Sequence, residues 1–312
     1  MVLLLQYMLL FASVLALVAL GGCFSEHSGI INLGLEGIMV VGALGGALVL
    51  KYMPVDVPSF ITVIVTLVGA IAFGMLYSAL LGVAAIHFNA DQTLIGTAMN
   101  MLATAVSAVI VKAINLSVDS SDVSSVVYYI DNRPDLTVQI GGFEFNWFML
   151  VAVVAVIAAY VVLYKTRFGL RLMACGENPQ AANSVGIDVF KMRWAGVLIS
   201  GMLGGLGGIA YITAGSSWTF ENGVAGYGFL ALAVMIFGQW KPHRIALAAL
   251  LFGFFRSLGS VYSGIPLLAS MNIPSTVYNL LPYIISLIVL AFSSKNSMAP
   301  KAEGIPYDKS TR

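Results

Sequence analysis

Acids, amides and imidazoles are scarce in this chain, so the places where they gather stand out. Residues 25–36, SEHSGIINLGLE, bring Glu26, His27, Asn32 and Glu36 together between two apolar runs. A second group, HFNADQTLIGTAMNMLA at 87–103, holds Asn89, Asp91, Gln92, Thr93 and Asn100. A third, GSSWTFENGVAGYGF at 215–229, combines Ser216, Trp218, Phe220 and Phe229 with Glu221 and Asn222. The chemistry these side chains offer is hydrogen bonding and proton exchange. The histidines, His27, His87 and His243, are widely spaced, and no HExxH or GxSxG pattern sets up a metal or a nucleophile. Cys23 and Cys175 have neither metal nor disulfide spacing. The expectation is a protein that is not an enzyme, with no catalytic residue, no metal and no cofactor. The chain also lacks a GxxxxGKS or GxxxxGKT segment, so P-loop ATP hydrolysis is not its own.

The elements that must position these groups are membrane helices. The chain is 59% hydrophobic and 9% charged, with a mean hydropathy of +0.94. Soluble domains carry about 25% charged residues. A spanning helix needs about 20 mostly apolar residues. That rule predicts about nine spans, at 3–24, 30–50, 60–86, 93–114, 146–164, 193–213, 224–240, 245–260 and 277–292. The fold class expected is all-α, a polytopic transmembrane bundle. Residues 1–292 form the membrane domain, and 293–312 form a solvated cytoplasmic tail. LGGC at 20–23 resembles a lipoprotein cleavage box, but the cationic start of a cleaved signal is missing and more membrane sequence follows.

Lysines and arginines mark the cytoplasmic side. Lys165, Arg167, Arg171, Lys191 and Arg193 lie in one loop, Lys241 and Arg244 in a turn, and Lys295, Lys301, Lys309 and Arg312 in the tail. Two predicted spans separate each of these segments from the next, so all three fall on one side. The acidic loop 115–145 falls on the other, with the N-terminus outside. A net charge of +1 gives no long-range attraction for nucleic acid; the expected surroundings are membrane lipid.

An ionisable side chain inside a membrane is costly and faces protein or a watered path. SEHSGIINLGLE therefore reads either as a helix broken inside the protein, with Ser28-Gly29 as the break, or as a plain cytoplasmic turn with Glu26 and His27 in water. Asn89, Asp91 and Gln92 suit a helix start. Asn100, two turns on, either bonds a neighbouring helix or faces a pathway. Gly201/Gly205 and Gly204/Gly208 make two GxxxG pairs, a helix-packing seam or a gate. Asn178 as N-cap and Pro179 at the first position predict a short cytoplasmic helix over 180–185, stopped by Gly186. No arginine stands at the centre of a predicted span, so a solute's carboxylate or phosphate would lack a partner.

SEHSGIINLGLEGIM (25–39), GLRLMACGENPQAANSVGI (169–187) and FENGVAGYGFLALAVMIFGQWKP (220–242) resemble the permease subunits of bacterial ABC importers, in the superfamily of branched-chain amino acid and ribose systems. The similarity is strongest to the nucleoside and simple-sugar branch. It implies a multi-pass permease of the bacterial cytoplasmic membrane that carries a small neutral solute, nucleosides first and simple sugars next. It implies three partners: an ATP-binding subunit, a second, non-identical permease, and an extracytoplasmic solute-binding lipoprotein. Glu177, Asn178, Gln180, Ala181, Ala182 and Gly186 would form the ATPase-coupling segment. Asn32, Glu36, Thr93, Asn100, Phe220 and Glu221 would lie along the substrate path. Tyr227 stands where members of this family often carry a basic residue. The competing reading is an ion-coupled secondary transporter using Glu26, Glu36 or Asp91 as a proton relay.

Overall fold

Apolar runs without internal proline become helices here because a membrane leaves no water to satisfy the backbone. The computed structural model describes residues 2–129, 136–214, 219–264, 274–293 and 297–308. Ser216, Trp218, Lys295, Lys309 and Arg312 lie outside them. Helices α1 (Val2–His27), α2 (Leu35–Tyr52), α3 (Ser59–Gly82) and α4 (Gln92–Val118) are followed by a small strand region, with β1 (Val127–Tyr128), β2 (Thr137–Ile140) and β3 (Phe143–Asn146). Next come α5 (Trp147–Lys165), α6 (Arg167–Glu177), α7 (Pro179–Ser184) and α8 (Val189–Ala214). Strand β4 (Thr219–Phe220), α9 (Tyr227–Phe237), α10 (Pro242–Val261) and α11 (Ser275–Ser293) complete the order. Among the described residues, seven helices are long and apolar enough to cross a membrane, and two shorter apolar ones fall at the remaining predicted spans. The protein is an all-α, multi-pass membrane bundle.

The termini are held at opposite ends. Gln6, in the first turns of α1, donates to Glu144 in the strand region at 3.4 Å. At the other end, the last residues of α1 meet Trp240 and the C-terminal segment. The cationic segments 165–193 and 241–244 lie toward that second end, the side that the positive-inside rule expects to be cytoplasmic.

Helix α8 runs through the centre. A Cβ on Gly201 would meet Ser78 of α3, and one on Gly205 would meet Ala70 of α3. On the neighbouring face, a Cβ on Gly204 would meet Ile38 of α2, and one on Gly208 would meet the Met39 backbone. Glycine at these four positions lets two helix backbones come within contact of α8, where dispersion packing drives association in lipid. Helix α1 closes the third side, with Leu15, Leu17 and Leu20 fully buried.

The tail departs from expectation. Residues 297–308 are solvated only in part: Met298 and Ile305 are exposed, while Ala302 and Tyr307 are buried against the end of the bundle. Ala302 N–H donates to Gly176 at 2.8 Å, Gly304 N–H to Gly29 at 3.2 Å and Met298 N–H to Gln239 at 3.0 Å. Arg193, counted above as a loop cation, is 1% exposed; it donates to the Ile305 carbonyl at 3.0 Å and lies over the Tyr307 ring. A buried guanidinium needs acceptors, and the tail supplies one. Helix α6 was not expected either. Thr166 caps it by accepting from Gly169 N–H at 3.2 Å, and it leads into the predicted short helix.

Candidate functional site

The break at 28–34 exposes backbone groups inside the bundle, and the polar insert satisfies them. Ser25 donates to the Ile30 carbonyl at 2.8 Å. The Asn32 amide accepts from Gly34 N–H at 3.1 Å and donates to Ser200 of α8 at 2.8 Å. Gln92 accepts from Ile31 N–H at 2.7 Å. Asn100 bridges the break and α2, donating to the Leu33 carbonyl at 2.9 Å and accepting from Gly37 N–H at 2.8 Å. An unpaired buried amide costs about 1–3 kcal/mol, so each polar side chain here replaces a backbone partner that a straight helix would have supplied. Glu26 is 6% exposed and accepts from the Trp240 indole at 2.5 Å, while the His27 ring lies 3.1 Å from the Trp240 carbonyl. The reading of this insert as a turn with Glu26 and His27 in water is therefore corrected.

Glu36 caps a half-helix. Helix α9 has 11 residues, a length of about 16 Å, roughly half a bilayer's hydrocarbon core. Its start therefore sits inside the protein. The two Glu36 carboxylate oxygens accept from Gly226 and Gly228 N–H, each at 2.7 Å. A carboxylate at a helix N-terminus meets both the orphan donors and the positive end of the dipole. Gly226, at φ +80°, makes the entering turn in the left-handed region. Asp91 also works as a cap, accepting from Thr93 and Leu94 N–H at 2.8 and 2.9 Å. All three acids of the proton-relay reading, Glu26, Glu36 and Asp91, thus serve structural hydrogen bonds.

The expected path residues are not one constellation. Asn32 is fully buried, Asn100 is half-buried, and Thr93 is exposed on the outer face of α4. Phe220 is fully buried, its strand paired with β1 opposite Val127. Glu221 is exposed and borders a cavity of about 400 Å³. That cavity is also lined by Tyr7 and Phe11 of α1, Tyr211 of α8, and Arg256 and Ser260 of α10, at the end away from the cytoplasm.

Arg256 is the residue that sequence reading missed. It stands off centre in its span, within the last turns of α10, and the apolar run FGFFRSL around it is the signal that could have found it. Its Nε donates to the Tyr227 hydroxyl and its Nη1 to Asn279, both at 2.6 Å, and its guanidinium lies 5.1 Å from the Phe11 ring centre. The basic group expected at position 227 is delivered there from α10. Tyr7, Phe11 and Tyr211 give the cavity its aromatic surface, the last with its ring centre 4.6 Å from that of Tyr227.

At the cytoplasmic end, Asn178 accepts from Ala181 N–H at 3.0 Å and caps α7, with Gly186 beyond it at φ +84°. Glu177, Gln180, Ala181, Val185 and Gly186 are exposed. Ala182 is 4% exposed and packs with Cys175, Val189 and Tyr307. A cleft of about 450 Å³, bordered by Asn183, Gly186, Lys191, Trp194 and Tyr307, flanks this helix.

The family model for the permease component of branched-chain amino acid transport systems matches residues 4–291. The chain is 39% identical over 310 residues to the nucleoside ABC transporter permease protein NupC of Lactococcus lactis subsp. cremoris, covering 97% of this chain and 96% of that one. It is 38% identical over 309 residues to the guanosine ABC transporter permease protein NupQ of Bacillus subtilis, with the same two coverages. A second nucleoside ABC transporter permease protein of the same Lactococcus, NupB, is 22% identical over 314 residues, covering 96% of this chain and 82% of that one.

Proposed function

The chain belongs to the family of permease components of branched-chain amino acid transport systems, and from that premise we propose that it is a membrane subunit of an ATP-driven importer for nucleosides. The observation that carries this is the full-length likeness to NupC and NupQ, both described as nucleoside or guanosine ABC permeases. That two unlike permeases, NupB and NupC, both match favours a heterodimer with a second permease. An ATP-binding subunit supplies the energy, and an extracytoplasmic solute-binding lipoprotein delivers the nucleoside. The complex resides in the bacterial cytoplasmic membrane.

In this reading, receptor docking admits solute from outside, and closure of the ATPase moves α6 and α7. The exposed side chains Glu177, Gln180 and Val185 meet the ATPase, while Asn178 and Gly186 set the shape of the coupling helix and Ala182 anchors it. Because Ala182 is buried, Ala182→Arg would disturb packing as well as coupling; Val185→Asp probes the contact alone.

The test is uptake of labelled guanosine into proteoliposomes holding both permeases and the ATPase, with the lipoprotein added outside. Uptake is expected to require ATP and to persist with an uncoupler. Uptake that survives without ATP and collapses with the uncoupler would overturn the reading in favour of ion coupling.

A further inference from the structure

We propose that the cavity between α1, α8 and α10 is a solute site contained in this one subunit, built for a neutral, hydroxyl-bearing aromatic heterocycle. The inference rests on the nucleoside reading and adds where and how such a solute is held. A cation inside a membrane helix is expensive, so its position calls for a reason. Arg256 is held rigidly by Tyr227 and Asn279. Those bonds use two of the five N–H donors that a guanidinium carries, and the side chain borders the cavity.

Glu221 borders the same cavity from the 219–226 segment, and Thr219 donates to it at 3.1 Å. One fixed cation and one fixed anion leave the cavity with no net charge. An ionic solute would meet one like charge, whereas a neutral one can donate to Glu221 and accept from Arg256. Tyr7, Phe11 and Tyr211 add aromatic surface, and a base stacked on such a ring gains about 1–3 kcal/mol in other proteins. A volume of about 400 Å³ suits a molecule of nucleoside size. The half-helix is linked to the cavity through Arg256: its partner Tyr227 is the first residue of α9, whose start Glu36 caps. A solute bound at Arg256 therefore acts, through Tyr227, on the start of a helix that begins inside the bundle.

Two measurements on the full complex test this. Ser260→Cys, in a background lacking Cys23 and Cys175, is expected to react with a water-soluble thiol reagent and to be protected by guanosine in a saturable way. Glu221→Gln is expected to raise the KM for guanosine uptake about tenfold with complex recovery unchanged, the scale of a hydrogen bond to a charged group. Arg256→Lys is expected to do the same; since Arg256 also ties α10 to α9 and α11, Glu221→Gln is the deciding variant. Normal wild-type uptake with unprotected Ser260→Cys and an unchanged KM overturns the site and leaves the nucleoside reading intact. A wild-type complex that imports no nucleoside overturns that reading. Weakened lipoprotein binding at an unchanged KM would make the cavity a receptor-docking pocket and also overturns the proposal.

Discussion

Glu36 ties α2 to the start of α9 with both oxygens of one carboxylate. A charge facing hydrocarbon costs at least about 2.5 kcal/mol, yet here the carboxylate is consumed by two backbone donors of α9. Glu36→Ala leaves Gly226 and Gly228 N–H without these acceptors, at an expected cost of about 1–3 kcal/mol. The measurement is the melting temperature of the purified complex, which should fall. Glu36→Gln keeps an acceptor and should fall less. An alanine variant that melts like wild type but has a raised KM would mean that Glu36 serves the solute and not the helix.

At the scale of elements, the tail ties together parts that have to move in concert. It joins the break after α1 through Gly29, the end of α6 through Gly176 and the start of α8 through Arg193. Its Glu303 is packed next to the Glu26 carboxyl, and burial raises the Glu303 carboxyl above the usual carboxylate range. An acid with a raised value in the folded state stabilises that state least once pH passes its folded value. Tail docking should therefore weaken as pH rises, and Glu303→Gln should reduce that loss. Deleting residues 298–312 is expected to leave the complex assembled while lowering the uptake obtained per ATP hydrolysed. An unchanged ratio of uptake to hydrolysis would reduce the tail to a passive cover.

For the molecule as a whole, the proposed site implies that charge selects the solute. No arginine stands at the centre of a span, which argues against anionic solutes; Arg256, off centre in α10, puts a cation beside the cavity all the same, and in the proposed reading Glu221 offsets it. Nucleosides are expected to compete for uptake by the full complex, and their monophosphates to compete about tenfold less well or worse, a difference of roughly 1.4 kcal/mol. A monophosphate that competes equally well would place Arg256 alone, without Glu221, at the solute.

Composition and apolar run length determined the membrane class and the span positions, because a bilayer enforces about 20 apolar residues per crossing whatever the neighbours are. Local chemistry also determined the cap at Asn178 and the stop at Gly186, since capping acts within a few residues. Only the tertiary structure decided what the polar insert does. Gln92 and Asn100 of α4 bond Ile31 and Leu33, 61 and 67 residues away, and Asn32 bonds Ser200, 168 residues away, all around one broken backbone. It alone brought Arg256 to Tyr227, 29 residues away, and Glu36 to Gly226, 190 residues away. Hydrogen bonds across such separations depend on which helix packs beside which, and helix neighbours leave no periodic trace in the chain.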